Sequence, residues 1–174
     1  MRIDRRAALA AAAGSLALAS APAARAQRGS DRDTLERLLS LERRLESAYD
    51  AAARMGALDR RLAELLRDQE REHADGLQEA LSGGPRTPVA SVPSPELTRA
   101  LARGGTTFLR YALALESEVV AAYADAVSQL RDPDLLQPLG AIMAGEGQHL
   151  VALRRELGIE PLTRAFETGR STVE

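Results

Sequence analysis

The chain has 174 residues, 45% of them hydrophobic and 28% charged, with a formal net charge of −2 at pH 7. It has no cysteine, which excludes disulfides, thiolate metal sites and a lipidated N-terminal cysteine. All 23 basic residues are arginine, with no basic stripe and no aromatic platform, so nucleic-acid binding has nothing to rest on.

Residues 1–26 read as a removable leader. Arg5-Arg6 supplies a basic start, Ala7 to Leu18 an apolar run, and Ala24-Arg25-Ala26 a small-x-small cleavage site that leaves Gln27 as the new N-terminus. Arg5-Arg6 followed by Leu9 resembles a bacterial twin-arginine export signal. Ala8 stands where a bulky apolar residue is usual, and a Sec-type signal is the competing reading. Residues 27–157 are then the domain and 158–174 an irregular tail. The expected location is outside the cytoplasm, in the periplasm, cell envelope or medium. No membrane segment is expected after cleavage, since no later apolar stretch reaches the roughly 20 residues of a span. The exported part carries 19 arginines against 24 acids, a net charge of about −5.

From Asp31 or Asp33, Leu35, Leu38, Leu39, Leu41, Leu45, Ala48, Tyr49, Ala52 and Met55 recur at three- and four-residue steps and predict a first helix ending at Gly56. Asp59 caps a second, with Leu62, Leu65, Leu66, Leu77 and Leu81 on its apolar face, ending at Gly83-Gly84. The four prolines between Pro85 and Pro95 mark a linker, and a short helical turn follows at 96–103. A third main helix runs from Thr106 or Thr107 to Leu130, a turn holds Arg131-Asp132-Pro133, and a fourth helix runs from Asp134 to about Leu157. The fold class is all-α: a four-helix bundle of two repeated hairpins joined by a long crossover.

The repeat is explicit. Leu41-Glu42, Leu45, Ala48-Tyr49 and Ala52 align with Leu115-Glu116, Val119, Ala122-Tyr123 and Ala126 at an offset of 74. Glu70, His73, Leu77 and Leu81 align with Glu146, His149, Leu153 and Leu157 at an offset of 76, the difference falling in the turn, where insertions are tolerated. The chain has two histidines, each three residues after a glutamate, so each pair projects from one helix face. Glu42 lies 14 residues before Gly56 and Glu70 lies 11 after Asp59, roughly 21 and 17 Å from the same turn. The second hairpin repeats this spacing. Packing the hairpins level therefore brings Glu42, Glu70, His73, Glu116, Glu146 and His149 together. If the hairpins are related by a two-fold, the second and third helices run the same way. The chain must then return along about 35 Å of bundle, which residues 83–95 can span at about 43 Å extended.

Four carboxylates and two imidazoles form a mixed oxygen and nitrogen set. It suits iron or manganese better than calcium, while zinc usually settles in smaller sites. Buried carboxylates are costly without a compensating cation, and two divalent ions neutralise four of them.

Glu42, Glu70-x-x-His73, Glu116 and Glu146-x-x-His149, one set per helix, resemble the ferritin-like di-metal carboxylate superfamily over residues 31–157. The Leu-Glu-x-x-Val-x-x-x-Tyr stretch of the third helix and the leader further resemble a bacterial exported member. The resemblance implies a dinuclear iron or manganese centre reacting with oxygen or peroxide. Glu70 and Glu146 would bridge, Glu42 and Glu116 would be terminal ligands, and each histidine would serve one metal. Two departures narrow it. The tail after Gly158, with Pro161 and Gly169, shows no fifth helix of the kind storage cages use, and no cysteine is present for the electron-passing iron of rubrerythrin-like enzymes.

Tyr49 and Tyr123, two turns after Glu42 and Glu116 on the same face, read either as hydrogen-bond partners of ligands or redox phenols, or as core packing. Gly145 and Gly147, flanking Glu146, read as an approach channel or freedom for that carboxylate, or as close helix contact. The functional expectation is an exported redox protein, ferroxidase- or peroxidase-like, found alone or as a homodimer. The alternatives are a metal-binding module without turnover and a structural or partner-binding bundle.

Overall fold

The computed structural model describes residues 20–81, 93–162, 167 and 169, with side chains from Asp31 onward. Five helices and no strand occur among them: α1 (Ser20–Met55), α2 (Arg60–Ala80), α3 (Pro95–Ala102), α4 (Gly105–Gln129) and α5 (Leu136–Glu156), with a 3-10 turn at Pro133–Leu135 before α5. Local chemistry accounts for most of the boundaries. Gly56 adopts a left-handed φ of 66° and stops α1. Asp59 caps α2, its carboxylate accepting the Leu62 N–H at 3.0 Å. Ser94 caps α3 by accepting from Leu97 at 3.1 Å, with Pro95 at the first helical position.

The boundary that departs furthest from expectation is the start of the first helix, while α2 stops at Ala80 and Asp134 falls in the 3-10 turn rather than in α5. α1 begins at Ser20 rather than at Asp31 or Asp33, so the predicted leader junction at 26/27 lies within a continuous helical backbone. The alanine-rich stretch after Ser20 propagates a helix well, and Pro22 sits in the first turn, where its missing N–H costs no intrahelical bond. The remainder of the predicted leader, residues 1–19, lies outside the described residues.

The core is a leucine and alanine stripe from each long helix. Leu38, Leu45 and Ala52 of α1, Ala63, Leu66 and Leu77 of α2, Leu113, Val119 and Ala126 of α4, and Leu139, Leu150 and Leu153 of α5 are buried. Each buried leucine contributes about 1.5–3 kcal/mol of transfer free energy. Leu65 was expected on the apolar face of α2 and Met55 on that of α1, but both stand in solvent, at 54% and 61% exposure. The buried stripe of α2 is centred on Ala63, Leu66, Glu70, Ala74 and Leu77, and Leu65 falls to one side of it. Outward faces carry i,i+4 pairs, Arg32–Glu36, Asp50–Arg54 and Arg60–Glu64.

Side-chain partners reveal the topology. On α1 and α4, Glu42 meets Tyr123 and Tyr49 meets Glu116, so positions climb along one helix as they fall along the other. The two helices are antiparallel. The same reading applies to α1 and α2 (Arg43 with Asp75, Glu46 with Arg71) and to α2 and α5 (Glu70 with His149, His73 with Glu146). Helices α2 and α4 therefore run parallel, as two-fold related hairpins require. Asp31, in the N-terminal half of α1, accepts the N–H groups of Arg131 and Asp132 at 3.3 and 3.0 Å, and lines one cavity with Leu81. Gly105 starts α4 at the opposite end, where a Cβ would lie 3.0 Å from the Ala57 carbonyl oxygen. The segments joined by the linker thus stand at opposite ends of the bundle. Residues 82–92 of the linker lie outside the described residues.

The tail folds back. Arg154, buried on α5, donates to the Pro161 carbonyl at 3.3 Å and to Glu167 at 2.7 Å. A Cβ at Gly169 would fall 2.2 Å from the Ser117 carbonyl oxygen on α4, an approach open only to glycine.

Candidate metal centre

The six residues singled out by the repeat converge between α1, α2, α4 and α5. Glu42, Glu70, Glu116 and Glu146 are fully buried, His149 is 3% exposed and the His73 side chain 16% exposed. One donor atom from each of Glu42, Glu70, His73 and Glu146 lies within 4.8 Å of the others. The same holds for Glu70, Glu116, Glu146 and His149. Two overlapping donor groups result, sharing Glu70 and Glu146.

The shared carboxylates divide their oxygens between the two groups. His73 Nδ1 lies 3.5 Å from Glu70 Oε2 and 2.8 Å from Glu146 Oε1, while His149 Nδ1 lies 2.9 Å from Glu70 Oε1 and 3.3 Å from Glu146 Oε2. Glu42 Oε2 stands 3.6 Å from His73 Nδ1, and Glu116 Oε1 stands 3.5 Å from His149 Nδ1. The rings stack at 5.7 Å between centroids with 24° between planes.

These approaches are close, yet none is aligned as a hydrogen bond. Eight buried side-chain polar atoms lack a hydrogen-bond partner among the described residues, and all eight belong to these six side chains. Buried polar atoms in folded proteins are nearly always satisfied, so eight orphans around one point mark donors directed at a common centre. Oxygen and imidazole nitrogen donors in that arrangement could hold metal ions.

The surroundings hold the donors in place. Tyr49 donates its hydroxyl to Glu116 Oε1, and Tyr123 donates to Glu42 Oε1. The hydrogen-bonding expectation for the tyrosines thus holds, but each reaches the glutamate of the other hairpin. Burial, and then the charge of Glu116 for Tyr49 and of Glu42 for Tyr123, pushes both phenols above their ordinary range, so they stay neutral donors. His149 Nε2 lies 3.0 Å from Gln69 Oε1, which can only accept, so the proton sits on Nε2 when Nδ1 offers its lone pair. Gln69 escaped the sequence reading. The available signal was its position beside Glu70, where the repeat partner is Gly145. Gly145 makes the close contact that was one of its two readings: a Cβ there would lie 3.2 Å from His73 Nε2. At Gly147 a Cβ would meet nothing within 4 Å.

Without a cation, protons neutralise the cluster. Burial pushes the Glu42 and Glu116 carboxyls well above the usual carboxylate range. Burial disfavours a charged His73, but the carboxylates of Glu146, Glu42 and Glu70 more than offset it and hold the imidazole up to about 11. His149 is raised in the same way against burial by Glu116, Glu146 and Glu70. Glu146, also opposed by burial, is drawn down to about 2 by the two imidazoles.

Comparison with known families places the fold independently. The chain matches the family described as ferritin-like domain over residues 30–158 and belongs to it. No curated protein and no solved structure matches.

Proposed function

We propose that this ferritin-like chain holds two iron or manganese ions and performs redox chemistry, oxidising Fe(II) or breaking down peroxide. The observation that carries the proposal is the division of the Glu70 and Glu146 oxygens between the two imidazoles, within a cluster whose eight orphaned atoms have no hydrogen-bond partner among the described residues. Glu42 and His73 would hold one ion, Glu116 and His149 the other, and Glu70 and Glu146 both. Four carboxylates balance two divalent ions in charge.

When bound, such ions supply a one-electron redox couple at each position, able to exchange electrons with oxygen or peroxide. The chain's own residues set the stage for that chemistry. The four buried glutamates keep the site short of bulk water, which strengthens every charge interaction in it. The phenols of Tyr49 and Tyr123 fix one oxygen of each terminal carboxylate and leave the other free to ligate. His73 is the most exposed of the six side chains, and a small oxidant would reach the centre past it.

Export is part of the proposal. Arg5-Arg6 and Ala24-Arg25-Ala26 support passage through the twin-arginine route, which carries folded proteins and would let the metal be loaded in the cytoplasm. Among the described residues no helix is long and apolar enough to cross a membrane. Appearance of intact protein outside the cytoplasm while twin-arginine export is blocked would contradict this route.

Metal content of protein purified from its own host tests the core of the proposal, with about two iron or manganese ions per chain expected. Stopped-flow absorbance after mixing the Fe(II)-loaded protein with oxygen or peroxide tests turnover. Binding without any oxidation would leave a metal-binding module, and absence of metal from the host protein would leave a structural bundle.

A further inference from the structure

The two halves of the site are not equivalent, and the difference traces to one pair of repeat-related positions. The terminal carboxylates match across the repeat, with Glu42 bonded to Tyr123 and Glu116 to Tyr49. The histidines do not match. His149 is 3% exposed and its Nε2 is engaged by Gln69 Oε1 at 3.0 Å. The His73 side chain is 16% exposed, and its Nε2 meets no acceptor among the described residues. At the offset of 76, the residue corresponding to Gln69 is Gly145, whose bare Cα faces His73 Nε2. The chain thus carries an amide acceptor behind one imidazole and no side chain behind the other.

From this we infer that Gln69 is a positioning residue for the His149 half, making it the high-affinity, retained metal position, and that the His73 half, lacking such support beside Gly145, is the weaker and exchangeable one. An acceptor on the far nitrogen of a ligating imidazole fixes its tautomer and orientation and raises its basicity, and losing one typically costs 10–100-fold in metal affinity. A ring without that acceptor must be ordered by the ion itself. The His73 side chain is also the more exposed of the two, at 16% against 3%. The inference rests on the two-metal reading above.

Titration of the metal-free full-length protein with Co(II), followed by its visible absorption, tests it. Two steps separated by about tenfold or more are expected. Gln69→Ala should weaken the tighter step by about 10–100-fold and leave the weaker unmoved, bringing the two together, while Gln69→Glu, which restores an acceptor, should keep them apart. His73→Ala should retain the tight step and His149→Ala should lose it. Thermal melting of each metal-free variant shows whether it folds, and a shift of the Co(II) absorption bands in Gln69→Ala marks reorientation of His149 rather than loss of structure. Two equal steps in the parent protein, or Gln69→Ala weakening both steps alike, overturns the inference while leaving the two-metal site standing. No Co(II) binding at all sinks both.

Discussion

Tyr49 on α1 donates its hydroxyl to Glu116 on α4, and the repeat returns the favour through Tyr123 and Glu42. These two bonds are buried polar links between the hairpins, and they tie the bundle's assembly to the orientation of the terminal carboxylates. Replacing Tyr49 with Phe removes the donor but keeps the ring in its place against Phe108. An unsatisfied buried acceptor costs about 1–3 kcal/mol, so Tyr49→Phe and Tyr123→Phe should each destabilise the metal-free protein by that amount. Urea unfolding with an unchanged m-value checks this, and a loss below about 0.5 kcal/mol in both would show the bonds are idle.

The four glutamates should separate into two classes. Glu70→Gln and Glu146→Gln each turn one oxygen of a carboxylate shared between the imidazoles into an amide nitrogen and remove a charge both ions would share, so they should abolish binding of both ions. Glu42→Gln and Glu116→Gln should each remove one ion and leave the other. Metal stoichiometry by elemental analysis distinguishes these outcomes, and equal losses from all four variants would reject the bridging assignment.

Stability of the metal-free protein should fall as pH rises. From pH 6.5, where a free imidazole loses its proton, to about 11, where His73 does, the folded state holds protons that the unfolded chain has released. Glu42 and Glu116, raised above 4.5, act in the same direction from that pH upward. Glu146 acts in the opposite sense: its contribution is present above 4.5 and is lost as pH falls through about 2, outside this interval. The melting temperature without metal should therefore drop between about pH 6 and pH 9, while the stabilisation added by metal should grow, because the ligands bind only when deprotonated. Metal uptake near pH 7 should release roughly two to four protons, measurable by calorimetry in buffers of different ionisation enthalpy.

Gly145→Ala should split stability from binding. Alanine gains about 1 kcal/mol over glycine within a helix, but its Cβ would crowd His73 at 3.2 Å. The His73 ring is partly exposed and free to yield, so the metal-free protein should melt higher. Metal affinity should fall, and only at the His73 step. A rise in both quantities would show that the close contact has no bearing on ligation.

The tail should detach without unfolding the bundle. A Cβ at residue 169 meets the Ser117 carbonyl oxygen at 2.2 Å, and Gly169 also has a left-handed φ of 67°, so Gly169→Ala is incompatible with the docked tail on two counts. Limited proteolysis after Gly158 should accelerate several-fold while the melting temperature of the bundle stays within a few degrees. Arg154→Ala, which removes the bonds to Pro161 and Glu167, should act in the same way.

Much of this was readable before any coordinates. The apolar stripes apart from Leu65 and Met55, the cap at Asp59 and the stop at Gly56 are local chemistry and appear where the spacing puts them. The long linker between parallel α2 and α4 was foreseen from the repeat. The upstream start of α1 was missed because a leader pattern and an alanine-rich helix share one composition.

The face on which a glutamate lies and its height along the bundle follow from 3.6 residues per turn and a rise of about 1.5 Å, and the chain carries both in its spacing. That was enough to put Glu42, Glu70, His73, Glu116, Glu146 and His149 at one level. The crossing of the tyrosines to the opposite hairpin, the division of the Glu70 and Glu146 oxygens, the contact of Gln69 with His149 and the docking of Gly169 on α4 were all beyond that spacing. The first three depend on how far one hairpin is rotated and shifted against the other, and the last on where the tail turns back. That placement, a matter of a few ångströms, is set by the whole buried interface at once rather than by any local run of residues.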